Sequence, residues 1–183
     1  MGVSEESGPR AGPAATTAQP PQVTVPVRSL RFGAVAVPAD RVLRFVRPVV
    51  GFPNIEHYAV IEEPSTSPVL WLQALGAAEV LLPVVDACLV TGKYSVELSD
   101  EEARELSLRR AEDARLLLVM TLHPDPSKIT VNLRAPIVWN TRAALAMQLV
   151  LQDSSLPVHH PVRPRRGEDR HEEEVGGASA DTP

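Results

Sequence analysis

Apolar residues in this chain recur mostly at every second position or in short runs, and rarely at the three-to-four residue spacing of an amphipathic helix. Ile129, Val131 and Leu133 alternate with Thr130, Asn132 and Arg134, which at two residues per repeat places aliphatic groups on one face and hydrogen-bonding groups on the other. The same period sets Tyr94, Val96 and Leu98 against Lys93, Ser95 and Glu97. It also sets Leu145, Met147, Leu149 and Leu151 against Ala144, Ala146, Gln148, Val150 and Gln152. Apolar runs of strand length occupy Phe32 to Val37, Val42 to Val46, Tyr58 to Ile61, Val69 to Leu75, Val80 to Val85 and Arg115 to Leu122. The last is apolar on both faces and predicts an interior strand. Pro136 has no N–H to give a ladder, so it is expected at a sheet edge, a strand start or a bulge before Ile137.

One segment changes character. Ser99-Asp100-Glu101-Glu102 predicts a capping box, the Ser99 hydroxyl taking the N–H of Glu102 and the Glu102 carboxylate reaching back to the N–H of Ser99. Asp100 and Glu101 complement the positive end of the helix dipole. A helix of at most about three turns over Asp100 to Leu108 follows, burying Ala103 and Leu106. About ten short strands with one clear helix imply an all-β, mainly antiparallel fold, a small β-barrel-like domain with one or two short helices, because closure removes exposed edges.

The ends differ from this core. Residues 1–26 are mostly Gly, Pro, Ala, Ser and Thr, and residues 163–183 are charged with Val175 their only large aliphatic. Such stretches bury too little apolar surface to offset the entropy of ordering, so both are expected to be disordered tails around a domain over 27–162. The formal net charge is −5. Between Val27 and Pro161 there are 13 Arg and Lys against 15 Asp and Glu. No basic face suited to direct nucleic-acid binding is implied. Cys88 is the single cysteine, which excludes an internal disulfide and a Cys-rich zinc site. The first residues carry no signal-peptide pattern, and runs such as Leu116 to Met120 are far shorter than the roughly 20 residues of a membrane span. A soluble cytoplasmic protein is expected.

Several segments together resemble the FliW family of flagellar assembly factors: Arg31-Phe32-Gly33, Gly51-Phe52-Pro53-Asn54-Ile55-Glu56, Trp71-Leu72-Gln73, Pro83-Val84-Val85-Asp86, Leu98-Ser99-Asp100-Glu101, Asn132-Leu133-Arg134-Ala135-Pro136, Asn140-Thr141, Gln152-Asp153-Ser154, and Pro157 with His160-Pro161. Their joint order over Leu30 to Val162 makes the match specific. The resemblance implies a small β-barrel-like fold, no catalysis and no cofactor. It also implies a monomer with two cytoplasmic partners, newly made flagellin at its terminal helical region and CsrA, an RNA-binding translational repressor. Export of flagellin would then free the protein to take up CsrA and lift repression of flagellin mRNA. Ala87, Trp139 and His159 depart from the residues usual in the family.

Candidate protein-binding residues are Phe52, Asn54, Gln73, Asp86, Asp100, Glu101, Glu102, Asn132, Asn140 and Asp153. Asp86, Asn132, Asn140 and Asp153 stand at strand ends, where their side chains could equally satisfy turn backbones. Glu97, Asp100, Glu101, Glu102 and Glu105 against Arg104 form either a solvated helix face or an electrostatic landing surface for a basic partner. His57, His123, His159, His160 and His171 lack metal-ligand spacing. The apolar setting of Cys88 predicts a buried structural thiol rather than a nucleophile. An interaction module of the same fold with a changed partner is the main rival reading, and a small hydrolase using Cys88 or His160 the weaker one.

Overall fold

The computed structural model describes residues 23–162. The expected tails, apart from Val23 to Pro26, lie outside the described residues. Eleven strands are formed: β1 (Thr24–Ser29), β2 (Gly33–Pro38), β3 (Val42–Phe45), β4 (His57–Glu62), β5 (Leu70–Ala74), β6 (Leu81–Asp86), β7 (Ala114–Thr121), β8 (Thr130–Val131), β9 (Ile137–Asn140), β10 (Leu145–Gln148) and β11 (His160–Pro161). Two short helices, α1 (Ala87–Val90) and α2 (Asp100–Glu105), complete the described elements with four 3-10 turns.

Seven strands close a ring in the order β3-β4-β5-β6-β7-β9-β10. Every neighbour pair is antiparallel except β3 with β10, which run parallel with Leu145 opposite Arg44 and Ala146 opposite Phe45. The long strand β7 pairs β9 through Ala114 to Leu117 and β6 through Leu117 to Val119. It then runs on to pair β8 at Met120 and Thr121, and β11 adds outside β8. The hairpin β1–β2 is a separate two-stranded sheet, with Val27 opposite Val35.

Period-two alternation decides what each strand face touches. Inward residues Leu43, Phe45, Tyr58, Val60, Leu70, Leu72, Val84, Leu117, Ile137 and Trp139 fill the barrel. Outward residues are apolar as well, because each side is covered. Ala59, Ile61 and Trp71 pack beneath Val27 and Val37 of the hairpin. Val85, Leu118 and Met120 pack against Ala87, Val131 and Leu133. Val138, Met147 and Leu149 pack against Leu106 at the end of α2. Doubly covered strands read as apolar runs, as a buried sheet requires.

Several expectations need correction. Residues 94–98 alternate in burial, with Tyr94, Val96 and Leu98 half-buried and Ser95 and Glu97 exposed, yet form no strand, and Lys93 belongs to a turn. Alternation there reflects a chain lying on an apolar surface, not a ladder. The strand expected over Ile129 to Leu133 is only Thr130–Val131, because the Asn132 side chain captures the N–H groups of Arg134 and Ala135 and bends the chain. The final strand stops at Gln148; beyond it the Leu149 and Leu151 N–H groups donate singly to the carbonyls of Pro136 and Arg134. The expected N-terminal tail boundary at residue 26 falls inside β1. The apolar Ala87 to Val90 stretch that follows β6 is the short helix α1.

The capping box is formed as expected. The helix is shorter than Asp100 to Leu108: the Ser107 N–H donates to Arg104 O (3.0 Å) and the Leu108 N–H to Ala103 O (2.8 Å). That pair of bonds is a Schellman termination, with Ser107 left-handed at φ 53° where glycine is usual. Pro136 stands immediately before β9, the strand-start position expected for it.

Candidate partner-binding surface

Segments distant in sequence converge on one groove of about 360 Å³ lined by Val49, Val50, Phe52, Leu82, Val119, Asn132, Arg134, Ala135, Gln148, Val150 and Val158. Its first wall is a tight turn in which the Phe52 N–H donates to Val49 O (2.9 Å). Gly51 occupies its third position at φ +89°, a conformation that favours glycine there. The turn lifts Val50 outward. The Gln148 side chain ties this wall to the next: its Oε1 accepts from the Val50 N–H (2.9 Å) and its Nε2 donates to Ala135 O (3.1 Å).

The second wall is the Asn132–Ala135 turn. Asn132 Oδ1 accepts from the N–H groups of Arg134 (2.9 Å) and Ala135 (3.2 Å). The Arg134 guanidinium then donates to the carbonyls of Leu156 (3.0 Å) and Ser154 (2.9 Å). That holds the loop carrying Asp153, whose carboxylate accepts from the Ser155 N–H (2.9 Å) and hydroxyl (2.6 Å). These Ser155 bonds keep Asp153 below the usual carboxylate pKa range. Val158 follows on the same loop. Val50 is 65% exposed, Val150 55% and Val158 43%. Three aliphatics raised around a polar-rimmed groove form the kind of patch that marks a binding site.

Of the sequence candidates, Phe52 and Asn132 line this groove, and Asp153 lies on the loop that Arg134 anchors. Asn54 is exposed on the same β3–β4 loop. Two others are internal. Gln73 is 0% exposed, its Nε2 donating to the carbonyls of Ala74, Ala77 and Val80. Asn140 is 2% exposed and spans two turns, its Nδ2 donating to the carbonyls of Leu106 and Ser107 and its Oδ1 accepting from the N–H groups of Arg142 and Ala143. Neither can touch a partner in this conformation; both satisfy turn backbones. Among the departures from the family pattern, Ala87 and Trp139 are buried, so they act through packing.

Asp86 caps α1 by accepting from the Cys88 N–H (3.2 Å) and holds the Arg115 Nε at 2.7 Å. Burial pushes its carboxyl up, but the hydrogen bonds from Cys88 and Arg115 outweigh it and leave the pKa lowered. A depressed folded-state pKa contributes stability that is present above the unfolded value and lost as pH falls through the folded one. Asp86→Asn is therefore expected to flatten the loss of stability below about pH 4, by an amount on the order of 1 kcal/mol after solvent screening. Urea unfolding from pH 7 to pH 2.5 reads this directly, and parallel curves for the two proteins would refute it. Cys88 itself is exposed, correcting the expected burial: a four-residue helix turns its side chain outward.

The acidic segment is not opposed by Arg104 alone. Arg47, on the β3–β4 loop, makes a two-pronged bond to Glu105 (2.8 Å each) and lies 3.6 Å from Glu102. The Ser99 N–H and hydroxyl, then Arg47, hold Glu102 below its usual range, and Arg47 does the same for Glu105. Glu97, Asp100 and Glu101 remain exposed. Since Arg47 and Val50 share one loop, the acidic face and the apolar groove are neighbours. Sequence reading missed Arg47, Val50, Arg134, Gln148, Val150 and Val158. The only local signal was at Val50, an aliphatic residue inside a turn ahead of Gly51.

The family model described as FliW protein matches residues 26–162. A flagellar assembly factor FliW of Syntrophus aciditrophicus is 30% identical over 140 residues, covering 76% of this chain and 89% of that protein. The flagellar assembly factor FliW of Geobacter sulfurreducens is 33% identical over 135 residues, covering 74% and 84% respectively. A crystal structure of the flagellar assembly factor FliW superposes with a TM-score of 0.70 at 20% identity, over 78% of this chain and 99% of that one. That likeness concerns the fold.

Proposed function

The chain belongs to the FliW family, and from that premise we propose that it is a flagellar assembly factor that binds flagellin and CsrA in alternation. Release of flagellin to export would free it to sequester CsrA and relieve repression of flagellin translation. The observation that carries the reading is the groove around Val50, Val150 and Val158, where three exposed aliphatics gather on one surface. An amphipathic helix from flagellin's terminal region suits such a groove, because its apolar face needs a cleft with polar rims. The exposed carboxylates of Glu97, Asp100 and Glu101 suit a basic RNA-binding protein. Binding, not turnover, is the role, exercised in the cytoplasm by a monomer without a cofactor.

Two partners of standard size each cover about 800 Å². Because Arg47 joins the acidic helix to the loop that bears Val50, the two footprints adjoin and occupancy of one opposes the other. The expected result is that saturating flagellin terminal segment weakens CsrA binding at least tenfold, a coupling of about 1.4 kcal/mol. Titrating CsrA calorimetrically against the free protein and against the preformed flagellin complex tests it. Equal affinities would sink the exchange mechanism even if both proteins bind.

Charge reversal at Glu97 and Glu101 is expected to act on CsrA association more than dissociation. Exposed charges are screened beyond about 10 Å at 0.1 M salt, so the slowing should be largest in dilute buffer and shrink as salt is added. Glu102 is left intact in this test because its carboxylate closes the capping box. Stopped-flow rates that match the wild type at low ionic strength would leave the acidic face a solvated surface only.

A further inference from the structure

The three exposed aliphatics of the groove stand on separate stretches of chain, so their spacing has to be fixed by contacts between those stretches. Val50 belongs to the β3–β4 loop, Val150 follows β10, and Val158 lies on the loop before β11. Arg134 holds the last of these loops through the carbonyls of Ser154 and Leu156. Gln148 holds the first. It is the last residue of β10, half-buried and opposite Ile137 of β9. Because it stands two residues beyond the core residue Ala146, its side chain leaves the strand on the inner face of the barrel. A further aliphatic would continue the core pattern there. The chain instead places an amide that reaches both walls of the groove.

Both ends of that amide are used. Its Oε1 accepts from the Val50 N–H at 2.9 Å, joining positions 98 apart, and its Nε2 donates to Ala135 O at 3.1 Å. A side-chain amide offers an acceptor and a donor together, so an ionised carboxylate or an aliphatic of the same length cannot make both bonds. The Ala135 wall also has main-chain ties to the chain following β10, from the Leu149 N–H to Pro136 O (2.9 Å) and from the Leu151 N–H to Arg134 O (2.8 Å). On the other side a main-chain tie to β10 comes before the turn, from the Val46 N–H to Ala146 O (2.9 Å). Gln148 carries that attachment out to Val50, whose side chain is more than half exposed.

We propose that Gln148 is the positioning residue of this groove: with one amide it sets the separation of the two walls and holds Val50 in the place where a partner meets it. A loop already fixed in its bound arrangement loses less freedom on association, and that difference appears as affinity. Without the amide, the turn at Val49 to Phe52 has to be ordered by the partner. The inference rests on the reading of the groove as the flagellin site, and adds to it the residue that forms the site in advance. Gln148 acts through Val50, so its effect on binding should vanish when the Val50 side chain is removed.

A double-mutant cycle on the full-length protein tests it, with Gln148→Met, which keeps the length and loses both bonds, and Val50→Ala, read as affinity for the flagellin terminal segment. Each single change is expected to weaken binding about tenfold, and the pair together also about tenfold rather than a hundredfold. A matching cycle with Val158→Ala, whose loop Arg134 holds, should be additive. In the free protein the Val50 amide should exchange about tenfold faster in the Gln148→Met variant, since its acceptor is gone. Full additivity with Val50→Ala would overturn the positioning role while leaving the groove as the flagellin site. An unchanged Val50 exchange rate would overturn it too, and needs no partner. Unaltered affinity in Val50→Ala alone would instead remove the groove reading on which the inference rests.

Discussion

Replacing Asn140 by Ala is expected to destabilise the folded protein by about 3 kcal/mol, because one buried amide satisfies two turns at once. Its Nδ2 donates to Leu106 O at 2.8 Å and Ser107 O at 3.1 Å, and its Oδ1 accepts from the Arg142 N–H at 3.0 Å and the Ala143 N–H at 3.2 Å. Both turns are under backbone strain: Ser107 has φ 53° and Ala144 has φ 52°. A left-handed non-glycine residue costs about 1–2 kcal/mol and persists only where its surroundings hold it. Alanine would remove all four bonds and leave the carbonyl of the buried Leu106 without its amide partner. Urea unfolding should show a lower midpoint with an unchanged slope, since the surface exposed on unfolding is the same. A loss under about 1 kcal/mol would mean that the turns hold themselves. Because Asn140 is internal, partner affinity of the folded fraction should be unchanged, which separates this role from the binding role its sequence position suggested.

The opposite pattern is expected at the groove. Val50→Asp combined with Val150→Asp should weaken flagellin-segment binding at least 30-fold, about 2 kcal/mol, with little change in Tm. Both side chains are more than half exposed, so folding loses little, whereas a carboxylate desolvated under an apolar helix face is costly. Interface energy concentrates in a few central apolar anchors. The control is Leu30→Asp in the β1–β2 turn, where the side chain is 79% exposed and removed from the groove-lining residues. If the double variant binds as well as the control, the groove is not the flagellin site.

The reach of sequence reading here follows the range of the interactions involved. Strand periodicity, the Ser99–Glu102 capping box and the Pro136 strand start were legible because each depends on residues within a few positions of one another. Asn132 and Asp153 as turn-satisfying side chains were likewise local possibilities. Closure of the seven-strand ring was expected only as a class. That β10 lies parallel to β3, about a hundred residues earlier in the chain, depends on packing of Phe45, Ala146 and Trp139 inside the barrel.

At residues 93–98 a correct period led to a wrong element, because alternation records which side chains meet an apolar surface and is silent on whether a neighbouring backbone supplies hydrogen bonds. Gln73 and Asn140 looked like surface contacts for the complementary reason. A polar residue in an apolar run can turn inward when carbonyls await it, those of the adjoining turn at Ala77 and Val80 for Gln73 and those of the distant Leu106 and Ser107 for Asn140. Arg47 shows the same limit for charge: its bond to Glu105 joins positions 58 apart. The sequence by itself determined the local grammar of strand, turn and cap, and the family. Tertiary structure alone decided which polar groups were consumed inside and which aliphatics, Val50, Val150 and Val158, were left outside, since burial is a property of the assembled surfaces and of no single segment.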